Sequence, residues 1–570
     1  MADLKWWQTA VFYQIYPRSF ADGNGDGIGD FIGMAEKLDY LEDLGIDAVW
    51  LSPHFPSPQF DVGYDVSGYV DVAPEYGTLG DFKHFLDGAH QRGIRVILDL
   101  VLNHTSHLHQ WFLDSRSSRD NPKRDWYVWR NGKNGGPPNN WLSPFGGSAW
   151  EYDEATGQYY YHFFLKEQPD LNWRNSEVKE AMWEAVRFWL DMGVDGYRLD
   201  AIGTIFEDPA MPDHRSTITE EEMRRTFKRG FPNRSDEELV SLWRMVYEYQ
   251  IEQDGVHKLM QELRQVIDEY PDRVLVGESE NVSYYGNGSN ELHLAFNFPL
   301  VLTDRLTPAW IRANQQERLA ILPPGAWPCN TLNNHDSTRV YTRYGDGEHD
   351  DAIARISMAL MLTLRGTPFF YNGEEIGMVD YRLTGINQFR DPPAVWFYHA
   401  AIADGTPPEE VLILAADSSR DRCRTPMQWA NAANGGFSTE GVITWLPLNP
   451  NYADGINVAD QLSDPTSLLN MYREMLRVRR QTPALIAGDY APLHETSDDY
   501  FAFLRHSDVP QQTCLVILNF SDTMQTLRFD LDGAKAASCV FSTHKPKSEL
   551  QSLAALQVAP FEVFIGELLP

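Results

Sequence analysis

The chain has 570 residues, more than one ordinary domain holds, so a large domain with one or two additions is expected. Its 81 acidic against 48 basic residues give a formal charge of −33, which repels nucleic acid and anionic membrane surfaces. The four cysteines, Cys329, Cys423, Cys514 and Cys539, show neither a C-x-x-C spacing nor a His/Cys cluster, so neither a zinc site nor a disulfide framework is indicated.

The N-terminus MADLKWWQTAVFYQIYP passes directly into a strand pattern, without a basic segment, an apolar segment and a cleavage site in succession. The longest apolar helical run, Ile356 to Leu364, is too short to cross a bilayer. A cytoplasmic protein without membrane or nucleic-acid partners is expected.

In chain order, VFYQIYP reads as a strand, FIGMAEKLDYLEDLGI as a helix, DAVWLSP as a strand, DFKHFLDGAHQRG as a helix and IRVILDLVLNH as a strand. That alternation calls for parallel strands joined by right-handed crossovers. It stops at His104 and resumes with EVKEAMWEAVRFWLDMG and VDGYRLD, so residues 105–173 form an inserted subdomain after the third strand. RVLVGES, LHLAFNF, CNTLNNHD and TPFFYNGEE bring the count of buried strands to eight. Eight strands with intervening helices predict an α/β fold, a (β/α)8 barrel built from residues 1–104 and 174–481, with its chemistry at the strand C-terminal ends. After SLLNMYREMLRVRRQ the pattern changes to alternating strands without helices, which predicts an antiparallel β-sandwich over 482–570.

The stretch DGNGDGIGD, Asp22 to Asp30, sets Asp22, Asn24, Asp26 and Asp30 between glycines, so several oxygens could converge on one hard cation. An EF-hand is excluded, because its twelfth position is Gly33 and a strand precedes it. The run alone leaves a metal loop of another kind and an acidic solvated turn both open.

Polar residues gather where the strands end. Asp99, Asn103 and His104 close the third strand, Arg198 and Asp200 the fourth, Glu278 the fifth, and His335 and Asp336 the seventh. Arg198 and Asp200 are two apart on a strand and share a face, which in a barrel is the interior mouth. Three carboxylates there, with an arginine and two histidines, suit glycosidic cleavage: one attacks the anomeric carbon and one protonates the leaving oxygen.

At these residues the sequence resembles the α-amylase family, glycoside hydrolase family 13, and within it the oligo-1,6-glucosidase and α-glucosidase group. The likeness covers nearly the whole chain and rests on DLVLNH, GYRLDA, VGES, NNHD, QPDLNW, RTPMQW and DGNGDGIGD. It implies a retaining, exo-acting α-glucosidase for short α-glucosides, with Asp200 as nucleophile, Glu278 as acid/base and Asp336 as the carboxylate gripping the sugar. Arg198, His104 and His335 would orient the nucleophile and bind glucose. Asp61 and Arg424 would form an ion pair closing the pocket, with Tyr64 as stacking platform, Phe145 and Phe164 at the entrance and Ala201 shaping the leaving-sugar side. The resemblance also implies one structural Ca2+, or Mg2+, held by Asp22, Asn24, Asp26, the carbonyl of Ile28, and Asp30, and no organic cofactor. Two alternatives accompany it: a transferase or isomerase of the same family, such as a trehalose synthase or sucrose isomerase, and a non-enzymatic barrel of transporter-associated proteins. The latter lack the acid set that is complete here.

Overall fold

The computed structural model describes residues 4–219, 222, 223, 226, 237–531 and 533–569. Its centre is the expected barrel: β1 (Phe12–Ile15), β2 (Ala48–Leu51), β3 (Arg95–Leu100), β7 (Gly196–Leu199), β8 (Val274–Gly277), β9 (Leu294–Ala295), β10 (Cys329–Thr331) and β11 (Thr367–Tyr371). All pair in parallel in the order β10-β11-β1-β2-β3-β7-β8-β9, and a parallel bridge from Phe296 to Cys329 joins the two ends. These strands are short apolar runs because both their faces are covered. Phe12, Trp50, Ile97, Val274, Val276 and Phe369 fill the interior, so the barrel is a packed core with its chemistry above it.

The outer helices show why the alternation was legible. In the helix Leu79–Gln91, Thr78 caps the amide of Asp81, and Phe82, Phe85, Leu86 and Ala89 recur on one buried face. The helix Ser176–Met192 is capped by Asn175 and stops at Gly193, whose φ of +113° suits a residue without a side chain. The single helix expected over FIGMAEKLDYLEDLGI is instead two, Phe31–Glu36 and Leu38–Leu44. They meet at Lys37, whose backbone leaves the helical region at φ −98°, ψ 4° and whose amide bonds back only three residues, to the carbonyl of Met34.

Between β3 and β7 the insert forms an antiparallel sheet in the order β4-β6-β5, from β4 (Trp129–Arg130), β5 (Trp150–Asp153) and β6 (Gln158–Tyr161). A bridge from His104 to Asp170, and the amide of Leu171 donated to the carbonyl of Asn103 at 2.9 Å, fasten it to the end of β3. The helix Glu237–Tyr247 belongs to the long stretch 206–255, to which the sequence assigns no purpose. Val246 and Tyr247 at its end pack against Trp141, Trp150 and Tyr161 of the insert, so this helix backs that subdomain. Residues 380–421 hold a second addition, the helices Pro392–Ala403 and Pro408–Ser418, packed through Phe397, Val411 and Ala415 onto Tyr16 and Tyr371.

The C-terminal strands are β12 (Asp489–Leu493), β13 (Tyr500–Asp508), β14 (Gln511–Asn519), β15 (Gln525–Leu527), β16 (Ala536–Ser542), β17 (Leu550–Ser552), β18 (Leu556–Val558) and β19 (Val563–Leu569). Six form an antiparallel sheet in the order β12-β13-β14-β19-β16-β17, and the pair β15-β18 shares its core through Leu527, Leu556 and Val558. Among the described residues no helix is long and apolar enough to cross a membrane.

Candidate active site

The barrel brings the predicted carboxylates to one mouth around Arg198. Its Nη1 donates to Asp99 at 2.6 Å and to Asp200 at 2.9 Å, and its Nη2 lies 2.5 Å from Glu278. The guanidinium is fully buried and rests 4.9 Å above the ring of Trp50, the top of the packed barrel interior. Pairing in adjacent strands explains the convergence: Asp99 lies opposite Arg198 in the β3–β7 ladder, and Arg198 opposite Val276 in the β7–β8 ladder. Asp200 and Glu278 therefore follow neighbouring strand ends and meet at the one Arg198 guanidinium.

Burial pushes the Asp200 carboxyl well above the usual carboxylate range. Arg198 opposes that shift, while Glu278 and Asp99 add to it. Asp99 is pushed up to about 6 by burial, against the pull of Arg198. Ala201, at φ +40°, turns the chain directly after Asp200 and donates its amide to Glu278 at 3.0 Å. A residue other than glycine in that left-handed region is strained, a feature found where structure serves a site.

Asp336 occupies the opposite wall. Burial alone would raise its carboxyl, but His335, Arg424 and Arg420 hold it well below the usual range. Arg424 donates to Asp336, and its Nε donates to the carbonyl of His335 at 2.8 Å. His335 lies 2.6 Å from the hydroxyl of Tyr64, whose ring stacks on it at 5.4 Å, and Tyr64 donates onward to Asp99 at 3.1 Å. Burial keeps both site histidines neutral, His104 pushed down to about 3 and His335 well below its usual value.

The expected Asp61–Arg424 pair is corrected by the structure. Asp61 pairs with Nη2 of Arg420 at 2.9 Å, while Arg424 is committed to Asp336, the His335 carbonyl and the ring of Tyr16. The two arginines bracket the turn Arg420–Cys423 and reach the same mouth, but only the first is left to meet Asp61. Gln168 completes that wall. Its amide donates to Asp61 at 3.0 Å and to Nε2 of His104 at 2.9 Å, while its carbonyl accepts the amide of Leu165. Phe145 and Phe164 lie 5.3 Å apart, the first under the Arg420 guanidinium and the second against His104.

Three functional side chains escaped the sequence reading. Asp99 was seen at a strand end but given no task, Gln168 sat inside a motif used only for resemblance, and Arg420 lay four residues before the arginine chosen in its place. Asp99 and Gln168 stand as polar residues inside quoted motifs, and Arg420 stands just before one. What was missing was which of them would touch.

The acidic loop forms a chain of side-chain-capped turns. Asp22 accepts amides of Gly25 and Gly27 and the hydroxyl of Ser438, Asn24 accepts from Asp26, and Asp26 from Ile28. Asp30 caps the following helix at Gly33 and also accepts amides of Gly23 and Asn24. Burial raises its carboxyl against the pull of those amides. The donors are all oxygen, as hard cations require. Among the described residues, however, no three acidic, histidine or cysteine side chains gather closely enough to hold an ion. An ion would therefore have to draw Asn24 and Asp26 out of their mutual 3.2 Å hydrogen bond.

The model of the α-amylase catalytic domain matches residues 14–488. The chain belongs to the α-amylase family. Among relatives of this family, the oligo-1,6-glucosidase of Parageobacillus thermoglucosidasius is 39% identical over 577 residues, covering 98% of both chains. The probable α-glucosidase of Rhizobium meliloti (strain 1021) is 40% identical over 533 residues, covering 92% of this chain and 91% of that one. Among solved structures, the trehalulose synthase MutB of Pseudomonas mesoacidophila MX-45 superposes with a TM-score of 0.87 at 38% identity, covering 99% of this chain and 100% of its own. MutB has been crystallised with sucrose and with isomaltulose. An isomaltulose synthase of Erwinia rhapontici NX5 gives 0.86 at 35% identity, with 100% of both chains covered. This chain is thus similar over nearly its whole length both to glucosidases and to trehalulose and isomaltulose synthases.

Proposed function

We propose that the chain is a retaining, exo-acting α-glucosidase releasing glucose from the non-reducing end of short α-glucosides. Maltose-like α-1,4 links are its first substrates, with sucrose and α-1,6 links further candidates and glucosyl transfer a competing outcome. The observation that carries this reading is the pair Asp200 and Glu278, which follow neighbouring strand ends and are both held by the Arg198 guanidinium. Double displacement takes one of the two carboxyls as nucleophile and the other as acid, and Arg198 favours the charged form of Asp200 against its burial.

Asp200 attacks the anomeric carbon as its bond to the leaving oxygen breaks, and Glu278 gives its proton to that oxygen. Water then yields a proton to the Glu278 carboxylate while its oxygen bonds to the anomeric carbon, and Asp200 departs with configuration retained. Asp336, kept ionised by its arginines, and the neutral histidines His104 and His335 offer acceptors and donors to glucose hydroxyls. The Asp61–Arg420 pair supports a pocket blind at its far end, which would admit only a terminal unit.

Maltoheptaose digestion tests the reading. Early glucose together with maltohexaose is expected, and mid-length fragments in the first minutes refute the closed pocket. The second reading, a sucrose isomerase or other glucosyl transferase, is favoured by the likeness to the trehalulose and isomaltulose synthases. A new disaccharide from sucrose, in place of free glucose and fructose, decides for it.

We also propose that the loop Asp22–Asp30 takes one Ca2+, or Mg2+, through Asp22, Asn24, Asp26, Asp30 and the carbonyl of Ile28. The all-oxygen donor set supports this, and the ion's task is to brace the loop rather than to enter the reaction.

A further inference from the structure

The segment 380–421 adds two helices beside the barrel, and its junction with the mouth is one side chain. Asp391 precedes the helix Pro392–Ala403, and its carboxylate is 2% exposed. It turns toward Arg420 instead of capping its own helix. Its oxygens accept the Arg420 amide at 2.9 Å and the Arg420 Nε at 2.8 Å, and lie 2.7 Å from Nη2. Asp421 locks the same junction from the other side, accepting the amides of Arg390 at 2.7 Å and Asp391 at 2.9 Å. With its back held, Arg420 presents Nη2 to Asp61 at 2.9 Å and Nη1 toward Asp336 at 3.4 Å, above the ring of Phe145.

We infer that Asp391 is a positioning residue of the sugar pocket: through Arg420 it sets where the far wall of the pocket stands, and it thereby couples the added helix pair to recognition of the terminal sugar. The inference rests on the proposed glucosidase reading and deepens it. A planar guanidinium holds its direction only when several of its donors are engaged. Without Asp391, Nε loses its partner and Arg420 can swing about its long side chain. Asp61, 6% exposed at the side chain, then loses a counterion fixed in place. The reacting pair Asp200 and Glu278 is held separately by Arg198 and stays as it was. The effect therefore falls on binding of the terminal sugar more than on the bond-breaking step.

The test compares Asp391→Ala and Asp391→Asn with the wild type for kcat and KM on maltose, the pH dependence of kcat, melting temperature, and affinity for 1-deoxynojirimycin by calorimetry. Misplacing a binding group by about 1 Å costs up to about 100-fold. A KM raised at least about 10-fold is accordingly expected for Asp391→Ala, with kcat within about threefold and the pH limbs unmoved. Asp391→Asn keeps an acceptor for the Arg420 amide but loses the charge, so a smaller rise of about three- to tenfold is expected, and it carries the test where the alanine variant does not fold. Variants that melt earlier while KM stays at the wild-type value overturn the inference, because a helix brace alone would do that. So does a loss confined to kcat. A wild type that cleaves no glucoside yet binds deoxynojirimycin refutes the glucosidase reading alone. The inference is then decided by the titration, where affinity weakened about tenfold in Asp391→Ala supports it and unchanged affinity overturns it. Absence of binding by the wild type overturns both.

Discussion

Replacing Asp61 and Arg420 by alanine, singly and together, measures the contact on which the closed pocket depends. At 2.9 Å the two charges attract by about 6 kcal/mol at an effective dielectric of 20. Desolvation offsets part of this, since burial raises the Asp61 carboxyl even with Arg420 and Arg424 beside it. A net coupling of about 2–4 kcal/mol remains, which corresponds to about 30- to 900-fold in kcat/KM. Each single variant should lose that much on maltose, and the double variant should be no worse than the poorer single, because the second change removes a charge already left without its partner. The parallel cycle of Asp61→Ala with Arg424→Ala should show a clearly smaller coupling, since Arg424 acts on Asp61 only from further off and is committed to Asp336. The assay is glucose release over a range of maltose concentrations, with melting temperatures recorded for every variant. Additive losses for Asp61 with Arg420, together with strong coupling of Asp61 to Arg424, would refute the assignment made from the structure.

Asp200→Asn and Glu278→Gln should each lower kcat by at least about 100-fold while circular dichroism stays native, because each changes a charge or proton at nearly constant volume. Chelator should lower the melting temperature through linkage, and Asp22→Ala with Asp26→Ala should abolish that sensitivity. A melting temperature indifferent to chelator, with no ion found by elemental analysis, leaves the loop a plain turn. Asp336 has a depressed carboxyl, so its contribution is complete above the ordinary value of 3.8 and fades as pH falls through the folded value. The melting-temperature gap between wild type and Asp336→Asn should therefore hold at pH 7 and 5 and begin to narrow below about pH 4. Ala201, small and directly after Asp200, leaves the leaving-sugar side open, so maltose should be cleaved without a strong isomaltose preference. A wild type that clearly prefers isomaltose refutes that expectation.

The barrel was readable because a covered parallel strand must be a short apolar run and an outer helix must show one apolar face. Both signals lie within a few consecutive residues, as in VLVG of β8 and the capped helix Leu79–Gln91. The mouth was legible one step further, since Arg198 and Asp200 share a face by their spacing and polar residues end four separate strands. Which charges would pair was not legible. Arg420 and Arg424 are four apart and chemically identical, so only the crowding of Arg424 by Tyr16, His335 and Asp336 assigned Asp61 to Arg420. The task of the segment 380–421 likewise waited on Asp391 meeting Arg420, a contact across 29 residues and two helices. Local periodicity reflects the environment each element needs. The pairing of long charged side chains reflects competition among every partner within reach, and that competition exists only once the chain has folded.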